Sequence, residues 1–391
     1  MIEDTGFSRT EISGLYAVGT GLSALMVFLV GRLADKYGAR MMLLFAATGL
    51  GLACFGMAFA VGPIAFFFAF AALRALGQGS MPVNGTLLVA QWFVNYRGRA
   101  MAIMGIGGAL SNAAFPTISQ QLINMFSWRE TYMILGVFVW VLILPLAIFV
   151  VRNRPEDIGA YPDGADEIPE SERRAAEAGT PPGTANALKT LFFWVVAMSI
   201  GVPSMVGTAY VFHQISILTD FGLSASLAAG LFVPFALTAT GASFLGGYLV
   251  DKFNPIRVYT ANAGLFLIAA IVLVFVSNPV LGFIYAGLMG LFQGIQMIIM
   301  NTTWAYFYGR HGLGKVQGAG SMTNIAYSAI GPLPLAALHG FFGDFRPAIL
   351  ILASLMIVSA IAVNLVRNRA PETDNDTSAS DIEEGSNDHA E

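Results

Sequence analysis

The strongest constraint on the fold of this chain is a series of long apolar segments that contain almost no charged residues. A helix needs about 20 mostly apolar residues to cross about 30 Å of hydrocarbon. It also satisfies its own backbone hydrogen bonds, which lipid cannot do. We therefore predict an all-α membrane protein with eleven spans. They are residues 12–31, 41–61, 64–90, 100–123, 132–151, 190–213, 225–249, 258–277, 280–305, 317–339 and 345–366.

The overall composition supports a membrane protein and excludes several other classes. Charged residues are 11% of the chain and hydrophobic residues 56%, whereas soluble domains carry about 25% charged residues. Cys54 is the only cysteine, so a disulfide framework or a cysteine metal site within one chain is excluded. The residues after Met1 do not show the basic stretch and apolar core of a cleavable signal.

Two polar stretches divide the predicted spans into domains. Residues 152–187 contain Pro, Gly, Glu, Asp, Arg and Ala without apolar periodicity, so we predict a cytoplasmic linker there. It separates an N-terminal helical half, residues 1–151, from a C-terminal half, residues 188–369. Residues 370–391 are acidic and rich in Ser and Asn, which predicts a disordered tail.

The basic residues predict the orientation of the chain in the membrane. With the linker in the cytoplasm, sixteen of the 20 Lys and Arg residues face inward, whereas Arg9, Arg129 and Arg346 face outward and Arg74 lies inside a span. Such an excess is typical of cytoplasmic loops. We therefore expect a multi-pass protein of the plasma (cell inner) membrane with a cytoplasmic C-terminus.

The sequence repeats itself at a spacing of about 216 residues. Gly31-Arg-Leu-Ala-Asp35-Lys36 recurs as Gly247-Tyr-Leu-Val-Asp251-Lys252. Further landmarks recur at 215 to 217 residues, and they pair Val151 with Val366, Pro116 with Pro332, Gly77 with Gly294, Asn84 with Asn301 and Thr86 with Thr303. Duplicated halves of this kind are typical of secondary transporters.

The repeat also predicts that the first half lacks a helix. The counterpart of the span at 190–213 would fall before Met1. A complete design would have six spans in each half, whereas five plus six are present here. The alternative is an eleven-span protein with an exported N-terminus.

Several motifs resemble those of a known family. The segments Gly31-Arg-Leu-Ala-Asp-Lys-Tyr-Gly-Ala-Arg40 and Arg74-Ala-Leu-Gly-Gln-Gly79 resemble signatures of the major facilitator superfamily. Residues 92–101, 127–132 and 154–164 resemble its monocarboxylate-porter-like branch. The resemblance implies the major facilitator fold, with two six-helix halves, and secondary active transport.

The first of these motifs is also a candidate for gating. An aspartate just beyond a span can meet the positive end of a neighbouring helix dipole, and the basic residues beside it face the cytoplasm. Rearrangement of such a cluster would accompany opening on that side. The alternative is that these charges only fix topology. The predicted gating residues are Gly31, Asp35, Lys36, Gly38, Arg40, Asp251 and Lys252.

The sequence contains no pattern that indicates a cofactor, a metal site or catalysis. Gly312-Leu-Gly-Lys315 lacks the spacing of a phosphate-binding loop. The four histidines have no acidic companions at ligand spacing. We therefore predict that the chain is not an enzyme and holds no cofactor.

One charged residue, Arg74, lies clearly inside a predicted span. Placing a charge there costs at least about 2.5–3.5 kcal/mol, so a partner or a water-filled path is needed. Arg74 could meet an anionic group of the substrate, or it could donate hydrogen bonds to carbonyl groups of the first helix.

The resemblance implies that the first, fourth, seventh and tenth helices line a central cavity. Gln293 and Gln296 are three residues apart and are predicted to share a helix face. His213 is a candidate proton carrier because histidine is the residue type whose ordinary pKa is closest to physiological pH, although it could simply face water at a helix end. Each candidate could instead hold helices together by hydrogen bonds. With Arg74, the candidates are Gln78, Asn84, Tyr210, His213, Gln293, Gln296, Asn301, Asn324 and Tyr327.

The substrate is less constrained than the class of protein. The spans at 225–249 and 317–339 contain no charged residue, which departs from carboxylate carriers of the branch that the motifs resemble. We predict a secondary active transporter, acting as a monomer in the lipid bilayer without nucleic acid. It would move a small organic solute. That solute is either a monocarboxylate or other organic anion, or a neutral or amphipathic compound. Protons are a candidate coupling ion. A solute sensor on the same fold is the alternative.

Overall fold

The computed structural model describes residues 26–167, 184–310 and 312–369, and the long elements in these ranges are all helices. We number them α1 to α11 in chain order. They are α1 (26–37), α2 (Ala39–Ala58), α3 (Gly62–Trp92), α4 (Arg97–Met125), α5 (Trp128–Val150), α6 (Leu191–Asp220), α7 (Ala225–Lys252), α8 (Pro255–Val274), α9 (Pro279–Tyr308), α10 (Leu313–Phe342) and α11 (Phe345–Val366).

Helices α2 to α11 coincide with ten of the eleven predicted spans, and several extend further than predicted. Nine helices of the described ranges are long and apolar enough to cross a membrane. Helix α4 has 29 residues but is not among these nine. The predicted span at 12–31 lies mostly outside the described residues. The prediction that the first half lacks a helix also concerns a part of the protein outside the described ranges.

Polar residues fix where several helices begin. Ser127 and Glu130 form a capping box at the start of α5, each accepting a backbone N–H of the other. Asn254 and Asn278 cap α8 and α9, in each case followed by a proline that donates no hydrogen bond. Asp344 caps α11. These caps satisfy orphan N–H groups at helix ends.

Helix α3 is not a regular α-helix along its whole length. Residues Arg74–Ser80 form a π-helical segment between two α-helical ones. Such segments are rare and occur often at functional sites. Here the π-helical segment holds Arg74 and Gln78, two of the predicted cavity residues.

The packing of the chain is that of a membrane protein. Many large apolar side chains lie exposed on the helix surfaces, among them Phe45, Phe68 and Phe341, where lipid would contact them. Small residues let helices approach closely at several places, which is typical of packing in membranes. The two halves meet where α1 crosses α10 and where α4 crosses α7.

Candidate gating seam and transport cavity

Helix α1 crosses α10 at a pair of glycines. A Cβ atom added to Gly31 would overlap the carbonyl oxygen of Gly314, and the reverse also holds, so no larger side chain fits. Next to this crossing, the carboxylate of Asp35 accepts the N–H groups of Gly314 at 2.6 Å and Lys315 at 2.7 Å. These N–H groups belong to the first turn of α10, where the helix dipole favours a negative charge.

Helix α4 crosses α7 in the same way. A Cβ atom on Gly247 would lie 2.7 Å from the carbonyl oxygen of Gly98. The carboxylate of Asp251 accepts the N–H groups of Gly98 at 2.6 Å and Arg99 at 3.2 Å, in the first turn of α4. It also lies 3.7 Å from the Nε of Arg99, and its side chain is only 6% exposed.

The two crossings are equivalent positions of the repeat. Adding 216 to Gly31, Asp35 and Gly98 gives Gly247, Asp251 and Gly314. Each half therefore sends one aspartate to the N-terminus of a helix in the other half. We call these six residues the carboxylate seam.

Two other motif residues, Gly38 and Arg40, act within their own half. Gly38 joins α1 to α2 with a φ of 82°, a conformation that favours glycine. The backbone N–H of Arg40 donates to the Oδ1 of Asn153 at 2.8 Å, and its Nε donates to the carbonyl of Ala147 at 3.0 Å. Arg40 therefore ties α2 to the end of α5 and does not reach the second half through these bonds.

The lysines of the two motif copies have similar surroundings. The Nζ of Lys36 lies 4.9 Å from the centre of the Tyr37 ring. The Nζ of Lys252 lies 4.6 Å from the centre of the Tyr248 ring. Both ammonium groups thus lie over aromatic faces beside the seam, where a cation–π contact contributes about 0.5–1 kcal/mol at exposed sites.

A second link between the halves was not predicted from the sequence. Arg310, which follows α9, donates two hydrogen bonds to the carboxylate of Glu156 in the linker, one of them at 3.2 Å. The guanidinium of Arg310 also donates to the backbone carbonyl of Gln91 in α3 at 3.3 Å. In return, the side-chain amide of Gln91 donates to the backbone carbonyl of Arg310 at 2.6 Å. The Arg310 side chain is 6% exposed. Partial burial acts to raise the pKa of Glu156, but the hydrogen bonds and charge of Arg310 outweigh it and lower that pKa.

The beginning of the predicted linker is folded against the first half. Short turns of 3-10 helix occur at Pro155–Ile158 and Pro162–Gly164. The carboxylate of Asp163 accepts the backbone N–H groups of Val94 at 3.1 Å and Asn95 at 2.9 Å, in the turn between α3 and α4. The segment at 154–164 was interpreted from the sequence only as a branch signature. Its acidic residues Glu156 and Asp163 were the sequence signal for the contact with Arg310 and for the contact with the turn between α3 and α4.

Helices α6 and α10 bring several predicted cavity residues together. Ser204 donates a hydrogen bond to the Oδ1 of Asn324, and one turn further along Thr208 and Ser328 lie 2.9 Å apart. The ring of Tyr327 packs directly on Gly201 of α6. A row of uncharged hydroxyl and amide groups therefore follows this helix pair.

The structure corrects the expectation that Gln293 and Gln296 both line the cavity. Residues three apart differ by about 60° around a helix, and the packing of α9 divides the two. Gln293 is exposed, whereas Gln296 is buried and accepts a hydrogen bond from Asn262 of α8 at 3.1 Å. Gln296 therefore does not line an open cavity in this structure.

Tyr210 also lies elsewhere than expected. It is fully buried, its hydroxyl donates to the carbonyl of Ile349 in α11 at 2.6 Å, and its ring packs against Phe266 of α8. In this structure it holds helices of the second half together and does not face the cavity.

The candidates of the first half lie on or near the π-helical segment. Gln78 is exposed and Arg74 is half-buried. Asn84 is fully buried and donates to the carbonyl and hydroxyl of Ser80 at 3.0 Å and 3.1 Å. Asn301, the counterpart of Asn84 in the repeat, is half-buried on α9. The predicted contact of Arg74 with the first helix lies outside the described residues.

His213 lies at the end of the molecule opposite the seam. Its Nε2 is 3.2 Å from the carbonyl oxygen of Pro332. Together with His339, Asp220 and Phe345 it borders an open pocket of about 610 Å³ between α6 and α10. No cluster of His, Cys, Asp or Glu able to hold a metal ion occurs among the described residues.

Comparison with known proteins agrees with this architecture. The family model of the Major Facilitator Superfamily matches residues 1–332 and 194–386. Multidrug resistance protein MdtG of Dickeya zeae is 25% identical over 367 residues, covering 92% of this chain and 86% of that protein. Riboflavin transporter RibJ of Trypanosoma cruzi is 28% identical over 159 residues, covering 40% of this chain and 33% of that protein. These relatives are transporters and not enzymes, as predicted for this chain.

Solved structures share the fold at low sequence identity. FucP, a Major Facilitator Superfamily transporter in the outward conformation, matches with a TM-score of 0.66 and 16% identity, over 92% of this chain and 90% of that one. The human organic anion transporter MFSD10 matches with a TM-score of 0.69 and 15% identity, over 89% of this chain and 82% of that one.

Proposed function

Because the chain belongs to the Major Facilitator Superfamily, we propose that it moves a small organic solute across the membrane by alternating access. The observation that carries the proposal is the carboxylate seam. Asp35 and Asp251 each bind the N-terminus of a helix in the opposite half. Rocking of one half against the other must break both contacts together, so the seam is a two-state element.

We propose that the seam closes the cytoplasmic side. Basic residues cluster around it, among them Arg32, Lys36, Arg99 and Lys252, and cytoplasmic loops carry such an excess. The hydrogen bonds between halves described above, including that of Glu156 with Arg310, lie at this same end. On this orientation the structure represents a state closed toward the cytoplasm.

For the substrate we propose an amphipathic organic compound without an obligatory charge. The support is the row of uncharged donors and acceptors along α6 and α10, in which Ser204 bonds Asn324 and Thr208 bonds Ser328. The exposed Gln293 of α9 adds an amide. The relatives named for multidrug resistance and for riboflavin agree with a compound of this kind.

A monocarboxylate or other organic anion is the second candidate. It is favoured by Arg74, a half-buried cation in the π-helical segment of α3. A cation held inside a span normally has a partner or borders the transport path. A carboxylate substrate would then lie against the first half.

Proton coupling and a monomeric state complete the proposal. His213 is the candidate proton carrier, since it lies beside an open pocket at the end opposite the seam. We propose that one chain forms the whole transport path, because both copies of the seam lie within it.

The experiment that tests this proposal measures the flux of labelled solutes into proteoliposomes that contain the purified chain. Labelled riboflavin, a lipophilic cationic dye and lactate would be offered with and without an imposed pH gradient. The proposal predicts saturable accumulation of at least one probe, and dependence on the gradient if protons are coupled. Saturable binding of a probe without any flux would contradict transport and favour the sensor alternative. Accumulation of lactate alone would favour the organic-anion candidate.

A further inference from the structure

A groove runs along the surface of the second half between α8 and α11. It encloses a cavity of about 440 Å³, and most of its lining is apolar. Ala263 and Met356 are buried at its floor, whereas Ile357 and Ile361 are exposed along one wall. A Cβ atom added to Gly264, which also lines it, would meet nothing within 4 Å. The groove is therefore open space bordered by side chains that favour an apolar occupant.

One end of the groove is polar. The Nδ2 of Asn364 donates to the hydroxyl of Thr260 at 2.8 Å and to the carbonyl of Ala360 at 2.8 Å. Asn364 lies near the end of α11 and Thr260 near the start of α8, on the side of the molecule that holds the seam. The groove thus begins at a hydrogen-bonding pair and leads toward the middle of the membrane.

Two arginines lie just beyond this polar pair. Arg257 precedes Thr260 by three residues on α8, and Arg367 follows Asn364 by three as the C-cap of α11, so each lies about one helical turn beyond the polar pair. Both side chains are exposed, and neither forms a salt bridge with another residue of the described ranges. The mouth of the groove is therefore positively charged.

The length of the groove suits one acyl chain. From Thr260 to Leu267 along α8 the groove covers eight residues, and the seven steps between its two ends rise about 10 Å at 1.5 Å per residue. One leaflet contributes about half of the roughly 30 Å hydrocarbon core. The groove therefore takes up most of the depth of one leaflet.

We propose that this groove binds a phospholipid of the cytoplasmic leaflet that has an anionic headgroup. One acyl chain lies along Gly264 and Ala360, and the headgroup phosphate meets Arg257 and Arg367. The inference shares with the proposed function only the assignment of the seam to the cytoplasmic side. It does not depend on which solute is transported.

The arginines, and not the apolar lining, provide selectivity. Lipid tails are as apolar as the groove, so burying an acyl chain there gains little over leaving it in the bilayer. Each basic residue near an anionic surface contributes about a fivefold gain in affinity, and two contribute about 25-fold. The site therefore discriminates by headgroup charge.

Native mass spectrometry of the purified full-length chain in detergent tests the site. Phosphatidylglycerol and phosphatidylcholine with identical acyl chains would be titrated separately. We expect the wild-type chain to bind one phosphatidylglycerol about 25-fold more tightly than phosphatidylcholine. The double variant Arg257→Gln/Arg367→Gln should lose this preference, whereas Arg32→Gln, an exposed cation beside the seam in the first half, should retain it.

A second pair of variants tests the acyl-chain part of the groove. Gly264→Phe fills the open space and should abolish the single tight phosphatidylglycerol site. Gly287→Phe on α9, where a Cβ atom also meets nothing within 4 Å, is the matched control and should leave that site intact. Equal affinity for the two lipids in the wild-type chain would overturn the proposal, and so would equal loss in test and control variants. If Gly264→Phe fails to fold, the arginine variant decides alone.

Discussion

The substitution Asp35→Asn probes the seam most sharply, because it removes one negative charge and almost no volume. In the closed state the carboxylate accepts two N–H groups at 2.6 Å and 2.7 Å from the first turn of α10. The amide of asparagine keeps one acceptor oxygen and places an NH₂ group against the other N–H. The variant therefore loses one hydrogen bond and the interaction of the charge with the helix dipole.

The size of the effect follows from these two losses. A hydrogen bond contributes about 0.5–1.5 kcal/mol net, and a charge at a helix N-terminus about 0.3–1 kcal/mol. Together they lower the stability of the closed seam by about 1–2 kcal/mol, and the ratio of closed to open molecules falls by about five- to thirtyfold. Asp251→Asn should have a similar effect, since its carboxylate makes the equivalent contacts.

Distances between spin labels on the two halves measure that ratio. Tyr37 and Phe253 are equivalent in the repeat and are 53% and 51% exposed, so cysteines at these positions can be labelled. The single native cysteine, Cys54, would first be replaced by serine. The closed state gives a short distance and the open state a longer one, and Asp35→Asn should transfer population to the longer distance.

A matched control separates this effect from a general loss of helix capping. Asp344 caps α11 by accepting the N–H of Arg346 at 2.8 Å, but it contacts only its own half through that bond. Asp344→Asn should leave the distance distribution unchanged. If Asp35→Asn leaves it unchanged too, or if both variants shift it equally, the reasoning about the seam is refuted.

Further predictions concern the helix crossing, the linker contact and the cavity wall. Gly98→Val would force a side chain against the backbone of α7, which costs about 1–3 kcal/mol. The spin-label distances should lengthen and uptake should slow. Glu156→Gln should favour the open seam at pH 7. In the wild type the contribution of Glu156 is complete above its ordinary pKa of about 4.5 and is lost as the pH falls through its lowered pKa, so the distances should stay unchanged between pH 8 and 6. Gln296→Ala leaves the buried Asn262 without its side-chain partner and should lower the melting temperature, because such a loss costs about 1–3 kcal/mol. Gln293→Ala should instead raise the KM for transport with no change in melting temperature.

The sequence was sufficient to predict the long helices and the contact of Asp35 with a helix N-terminus. Apolar length alone places α2 to α11, although α6 continues seven residues past its predicted end, from 213 to Asp220. Asp35 was expected to meet a helix N-terminus because it follows a span, and Asp251 lies at the equivalent position of the repeat. Which helix each one meets could not be predicted, because that depends on how the two halves pack.

The cavity residues were harder to predict for a physical reason. A helix that is apolar on all sides gives no periodic signal of its rotation, so the direction of Tyr210 or Gln296 is set by neighbouring helices alone. The hydrogen bond from Asn262 to Gln296 joins α8 to α9. The sequence of neither helix predicts this bond. The sequence of Arg74–Ser80 did not predict its π-helical form.

The contact of Glu156 with Arg310 illustrates a further limit. The two residues are 154 positions apart and belong to different halves. The sequence shows that both are charged and lie near span ends, but it does not show that the linker folds back to join them. Only the assembled structure brings them together.

We propose that this transporter closes one side of its path with two equivalent carboxylate contacts. Solute uptake into proteoliposomes by the wild-type chain and by Asp35→Asn/Asp251→Asn tests it most directly. We predict saturable accumulation of an amphipathic solute by the wild type, and a double variant that binds the same solute but accumulates at least about tenfold less of it, since the combined cost to the closed seam is about 2–4 kcal/mol. Equal accumulation by both proteins would contradict the account.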